Sequence, residues 1–295
     1  MRHSVFLALF LAALGCGDRD GPGTPPPDTK KTTARYQGEL FVHPWPHGEG
    51  SGPVWERIPP PNACRRVPVA PGSFGSWLRS LPVKPGRPNV RLHNGGLKTN
   101  QSVHHAVLDI DVGSRDLQQC ADAVIRLRAE YLLCRGRGAE VAFNFTSGDR
   151  AEWAKWKGGF RPRVQGRAVS WSRTAEADAS YASFRKYLDA VFTYAGSASL
   201  EKELSPASAD SAVEPGQVFI KGGFPGHAVI VLDVAADLQG RRVMLLAQSY
   251  MPAQEIHVLR NPGSPLSPWY PVDRARALRT PEWTFGKGQL RRFPD

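Results

Sequence analysis

The sequence predicts an α+β fold in which a long helix packs on an antiparallel β-meander, and three observations carry that expectation. Apolar residues recur at helical spacing between about Arg115 and Cys134 and again between Tyr181 and Tyr194. From Gln217 onward the period shortens toward two. The connections between the last four apolar runs are too short for the crossovers that parallel strands need, so helices come first and a meander last.

The chain opens MRHSVFLALFLAALGC. Arg2 and His3 make a short basic start, Val5 to Leu14 is an apolar run too short for a permanent spanning helix, and Leu14-Gly15-Cys16 supplies the small residues a peptidase needs, so residues 1–15 read as a signal peptide. The segment resembles the bacterial lipobox. That resemblance implies acylation of Cys16, a lipid bilayer as partner and, because Gly17 follows rather than Asp, an outer-membrane location. An ordinary secretory signal is the alternative. Residues 16–33 then form the lipidated Cys and a Pro/Gly-rich tether without apolar periodicity, and residues 34–295 form one globular domain whose first stretch, 34–62, wraps its surface.

Within that domain Arg65 to Val69 is a short strand, and Ser73 caps a helix from Phe74 to Leu81. Val90 to His93 leads into an Asn94-Gly95 turn, and Ala106 to Val112 is a strand with Asp109 and Asp111 on one face. The long helix runs from about Arg115, with Ser114 as N-cap, to Cys134, where Gly136 and Gly138 stop it. A strand Glu140 to Phe145 and a helix Tyr181 to Tyr194 follow. The meander comprises Val218 to Lys221, His227 to Val234, Arg242 to Tyr250 and Glu255 to Leu259.

Composition narrows function. The 295-residue chain carries a formal net charge of +11, but its basic residues are scattered and no zinc-finger, RNP or Gly-rich phosphate motif accompanies them, which argues against nucleic acid and for anionic envelope polymers. Beyond Cys16 the cysteines are Cys64, Cys120 and Cys134. Cys120 and Cys134 on one helix stand roughly 21 Å apart, beyond disulfide reach. No CxxC or His-rich zinc spacing is present, so neither a metal nor another cofactor is implied.

The pairing that could do chemistry is Cys120 with His227. Gln119-Cys120-Ala121 and the run GQVFIKGGFPGHAVIVLDVAADLQGRRVMLLAQSY resemble the nucleophile helix and second half of the CHAP and NlpC/P60 amidases, papain-like hydrolases of the bacterial envelope. The resemblance implies a papain-like fold with Cys120 as nucleophile, His227 as base and Gln248 or Ser249 as the group orienting the imidazole, acting on cell-wall peptide. Gln217 stands where that family has Asp. Ala247 falls where a Glu can occur. Cys120, about six positions beyond Ser114, also lies on the apolar face of its helix, which equally describes a packed core thiol. His104, His105 and His257 are further candidate bases. Asp109 and Asp111 suit a carboxylate-based glycan or metal site, or simply a solvated strand face. Trp153, Trp156, Trp171, Trp269, Tyr270 and Trp283 suit sugar stacking, or loop anchoring. The competing reading is a non-catalytic lipoprotein holding peptidoglycan or surface polysaccharide.

A longer resemblance spans about Ile58 to Phe293. The runs FGSWLRSLPVKPG, KTNQSVHHAVLDIDVGSRDLQQCADAVIRLRAEYL, FNFTSGDRAEWAKWKGG, FRKYLDAVFTYAGSASLEKEL, GGFPGHAVIVLDVA and LLAQSYMPAQEIHVLRNP resemble the bacterial envelope proteins catalogued as domain of unknown function 4846. That resemblance implies one domain in the envelope and assigns no reaction.

Overall fold

The computed structural model describes residues 33–36, 39–208 and 210–294, with side chains from residue 41 onward. Cys16, the signal peptide and nearly all of the tether lie outside the described residues. Among the described residues no helix is long and apolar enough to cross a membrane.

The longest strand explains the architecture. From His227 to Val234 nearly every residue is apolar and every one is buried, so the strand must be covered on both faces. Alternate residues divide between two cores: Ala228, Ile230 and Leu232 face a large helix-side cluster, while Val229 and Val231 face a smaller one. In chain order the elements around it are β1 (Arg65–Arg66), α1 (Phe74–Ser80), β2 (His104–Val107), α2 (Cys120–Cys134), α3 (Tyr181–Tyr194) and α4 (Ser197–Glu203). There follow β3 (Ser205–Pro206), β4 (Val218–Lys221), β5 (His227–Ala236), β6 (Arg242–Gln248), β7 (His257–Leu259), β8 (Tyr270–Pro271) and β9 (Leu290–Arg292). They form one nine-stranded antiparallel sheet of order β3-β9-β4-β5-β6-β7-β2, with β8 beside β6 and β1 beside the far end of β5.

The papain-like expectation is corrected. Strand, not helix, dominates: the sheet gathers segments from residue 65 to residue 292, and α2, at fifteen residues, is the longest described helix. The meander β4 to β7 exists, but it is the middle of a larger sheet. Two of the added strands overlap expected ones: β1 lies within Arg65–Val69, and β2 ends at Val107, so residues 109–112 of the expected Ala106–Val112 strand are not strand. The others, β3, β8 and β9, are two or three residues long, too short to show a period, and lie in Pro- and Arg-rich stretches that read as loops. Segment 34–62 is also corrected from surface wrapping to anchoring, since Phe41, Trp45, Val54 and Ile58 are buried in the helix-side core.

Specific interactions fix the layers. Ser73 Oγ accepts from Ser76 N and starts α1 as expected. At a bulge in β5 the fully buried Asp233 accepts from Arg79 of α1 and Arg66 of β1, each at 2.6 Å, tying both elements to the sheet. Gly136 adopts φ +69° just past α2 and ends it. The expected Tyr181–Tyr194 helix forms over that span, capped by Ser180.

Candidate active site

Helix α2 begins five residues later than its periodicity suggests, at Cys120 itself. Residues 115–119 form turns instead, because Asp122 accepts the Gln119 amide (3.0 Å) and Asp116 holds the Gln119 side chain (3.2 Å), a local arrangement that competes with helix. Cys120 therefore occupies the first helical position, where unsatisfied amides and the helix dipole favour anionic sulfur.

That helix start meets the sheet where two strands part. The β5–β6 ladder reaches Ile230 opposite Ala247 and stops. Beyond it, segment 118–120 approaches the gap: Ser249 Oγ donates to Gln118 O (2.9 Å), and the Ala228 amide acts on the Cys120 sulfur. Next to Ala228 stands His227, whose ring lies 5.0 Å from that of Tyr250 across the same gap. Trp283 and Phe285 complete its surroundings, at 5.3 and 5.8 Å. No hydrogen bond joins the thiol to the imidazole among the described residues; Ala228, whose amide meets the Cys120 sulfur, follows His227 in β5.

The imidazole is held by a relay. His227 Nε2 donates to Gln248 Oε1 (2.9 Å). Gln248 Nε2 donates to Glu282 Oε2 (2.7 Å) and toward His257 Nε2 (3.4 Å), which can accept because His257 Nδ1 donates to Glu255 O. Glu282 Oε1 is paired with Lys98 (2.6 Å), whose ammonium also lies over the Tyr250 ring. A carboxylate only accepts, so Glu282 fixes which end of the Gln248 amide points at it, and the amide oxygen that remains fixes the His227 proton on Nε2. The Nδ1 lone pair is left as the basic position, with no hydrogen-bond partner among the described residues.

Burial dominates the ionisation of both groups. It pulls His227 down to about 4, against the Gln248 hydrogen bond, with Lys98 adding to the drop. It pushes the Cys120 thiol up to about 11; the Asp122 charge reinforces this, and the amides of Ala228, Ala121 and Cys120 oppose it. At neutral pH the site thus holds a thiol and a neutral imidazole, not an ion pair.

Other candidates have other employment. Ser249 bonds the Gln118 and Gln254 carbonyls and does not orient the imidazole. His104 bonds Pro88 O. Asp109 accepts from Gly48 N and Ser51 Oγ, and Asp111 pairs with Arg126 and Arg185, so neither aspartate is a free carboxylate. No group of three or more His, Cys, Asp or Glu fit to hold a metal occurs among the described residues. Trp153, Trp156, Trp269 and Tyr270 are buried, which makes them anchors and not stacking surfaces. Cys64, Cys120 and Cys134 are all free thiols. The sequence reading missed Lys98 and Glu282, and no local signal marks them: each lies in an irregular segment more than thirty residues from its relay partner. Trp283, expected as a stacking or anchoring ring, packs against the His227 ring.

The profile of the family described as domain of unknown function 4846 matches residues 54–292. The chain belongs to that family. The match takes in every member of the relay, from Lys98 to Glu282, so the domain of unknown function 4846 contains the whole candidate site. No curated protein and no solved structure matches the chain.

Proposed function

We propose that this member of the 4846 family is a cysteine-dependent hydrolase of amide bonds. One observation carries the reading: a histidine with its tautomer fixed by Gln248, Glu282 and Lys98 stands at the strand start against which the first residue of α2, Cys120, packs. His227 Nδ1 takes the thiol proton as the sulfur attacks the substrate carbonyl. The negative oxygen that forms is stabilised by the amides of Cys120 and Ala121 in the unsatisfied first turn. The imidazolium then protonates the departing amine, leaving a thioester. Water, deprotonated by the same nitrogen, releases the acid and regenerates the thiol. Because thiol and imidazole rest neutral, proton transfer accompanies attack and does not precede it.

Acylation at Cys16 tethers the domain to the outer membrane in this reading and makes cell-wall peptide the reachable substrate. The test treats the purified protein with iodoacetamide and maps the adduct, then assays peptidoglycan fragments. Modification at Cys120 that abolishes amine release, with the same loss in Cys120→Ala and His227→Ala, is expected. Retention on sacculi without amine release, unchanged by Cys120→Ala, would replace the reaction with polymer binding.

A further inference from the structure

We infer that the cavity between the second face of the sheet and the C-terminal segment binds an anionic single-chain amphiphile, an alkyl chain carrying a carboxylate or phosphate head. The cavity has a volume of about 640 Å³, within the ~300–1,000 Å³ typical of small-molecule sites. Phe219 is its most informative wall. Its neighbours Val218 and Ile220 on β4 are buried in the helix-side core, yet Phe219, in an interior strand, is only half-buried: it packs against Phe285 of the smaller core (6.0 Å) and also lines the cavity. Val272 and Leu278, also half-buried, line the covering side. An alkyl chain laid between these surfaces removes apolar area from water that the protein itself leaves exposed.

The mouth supplies the sign of the head. Arg274, Arg276, Arg279 and Lys287 line it with a single carboxylate, Asp273. Asp273 is engaged by Arg276 (3.4 Å), and Arg274 donates to the carbonyls of Ala207, Ser208 and Ser211. Arg279 and Lys287 are exposed and have no ion-pair partner among the described residues. Apolar walls under an excess of cations complement an amphiphile with a negative end, and match neither a sugar nor a cationic peptide. The cavity shares no residue with the Cys120–His227 site, so this inference stands or falls separately from the hydrolase reading.

The test is calorimetric titration of the full-length protein with laurate, dodecyl phosphate, dodecanol, dodecyltrimethylammonium and inorganic phosphate, each amphiphile below its micellar concentration. Saturable one-site binding of laurate or dodecyl phosphate is expected, and their order separates a carboxylate from a phosphate head. Dodecanol should bind at least about tenfold more weakly, and the cationic amphiphile and inorganic phosphate not at all. The exposed pair Arg279→Glu and Lys287→Glu should weaken laurate at least about tenfold, Ala277→Trp at the mouth should block it, and Cys120→Ala should leave it unchanged. Equal affinity for dodecanol and laurate, binding of the cationic chain or of inorganic phosphate alone, or indifference to the charge reversals overturns the inference.

Discussion

Arg126 within α2 and His227 near its start are both buried and both anchor polar networks, yet the networks are built for different ends. Around Arg126 the charges close on themselves. Its guanidinium reaches Asp111, Glu130 and the Gln118 side chain, Arg185 meets Asp111 from α3, and Tyr181 donates to Glu130. Burial alone would raise Asp111, but the two guanidiniums outweigh it and hold that carboxyl below its ordinary value. Every strong group there faces an opposite charge, and the result is a clamp between α2 and α3. Around His227 the order is directional: an ion pair, then an amide, then an imidazole with one nitrogen left over. A closed network holds elements together, whereas an open one delivers a lone pair to a place.

The largest effect should come from opening the clamp. Arg126→Met leaves Glu130 buried without its cation and should cost about 3–5 kcal/mol, read as a lowered denaturant midpoint; a change below about 1 kcal/mol would show that the network is not a clamp. Breaking the relay should act on turnover instead. Gln248→Leu frees the imidazole to take either tautomer and should lower kcat about a hundredfold with little change in stability, while Glu282→Gln, which keeps a hydrogen-bond acceptor, should cost about tenfold or less. If the two losses are equal, Glu282 does more than orient the amide. Alkylation of Cys120 gives a finer measure. With its pKa near 11 the rate should rise about tenfold per pH unit from 7 to 10, following the thiolate fraction, whereas a flat profile would mean a preformed ion pair.

A further test addresses the start of α2. Burial raises Asp122 to about 8, well above its ordinary 3.8, and its second oxygen has no partner among the described residues. The folded state keeps a proton that the unfolded chain has already lost, so this residue's contribution to stability falls as pH rises from about 4 to 8. Asp122→Asn still accepts the Gln119 amide and should lose that decline, so the difference in stability between variant and parent should grow over that window. A constant difference would place the Asp122 ionisation at its ordinary value.

Helices and the central meander were legible because each is long enough for its period to repeat. Tyr181–Tyr194 and Val218–Lys221 form over the expected spans. The start of α2 was not legible, since Ser114 and Asp116 suit an N-cap and a first turn as well as they suit the turns they form. What decides between them is Asp122 reaching back to Gln119. Within the candidate site Cys120, His227 and Gln248 come from the resemblance to the CHAP and NlpC/P60 amidases, which compares short motifs along the chain. Lys98 and Glu282 were not legible, being loop residues joined only by folding.

By itself the sequence determined the family, the apolar strand that must be covered on both faces, and the residue types able to do thiol chemistry, because periodicity and motif are properties of neighbours along the chain. Tertiary structure alone decided that a nine-stranded sheet, not a papain-like helix and meander, organises them, and that Asp109 and Asp111 are spent on structural contacts. It also decided that an ion pair from two distant loops orients the amide that holds His227. The reason is physical: two-residue strands, ion pairs and hydrogen-bond relays form between segments far apart in sequence, and their free energy exists only once the two are brought into contact.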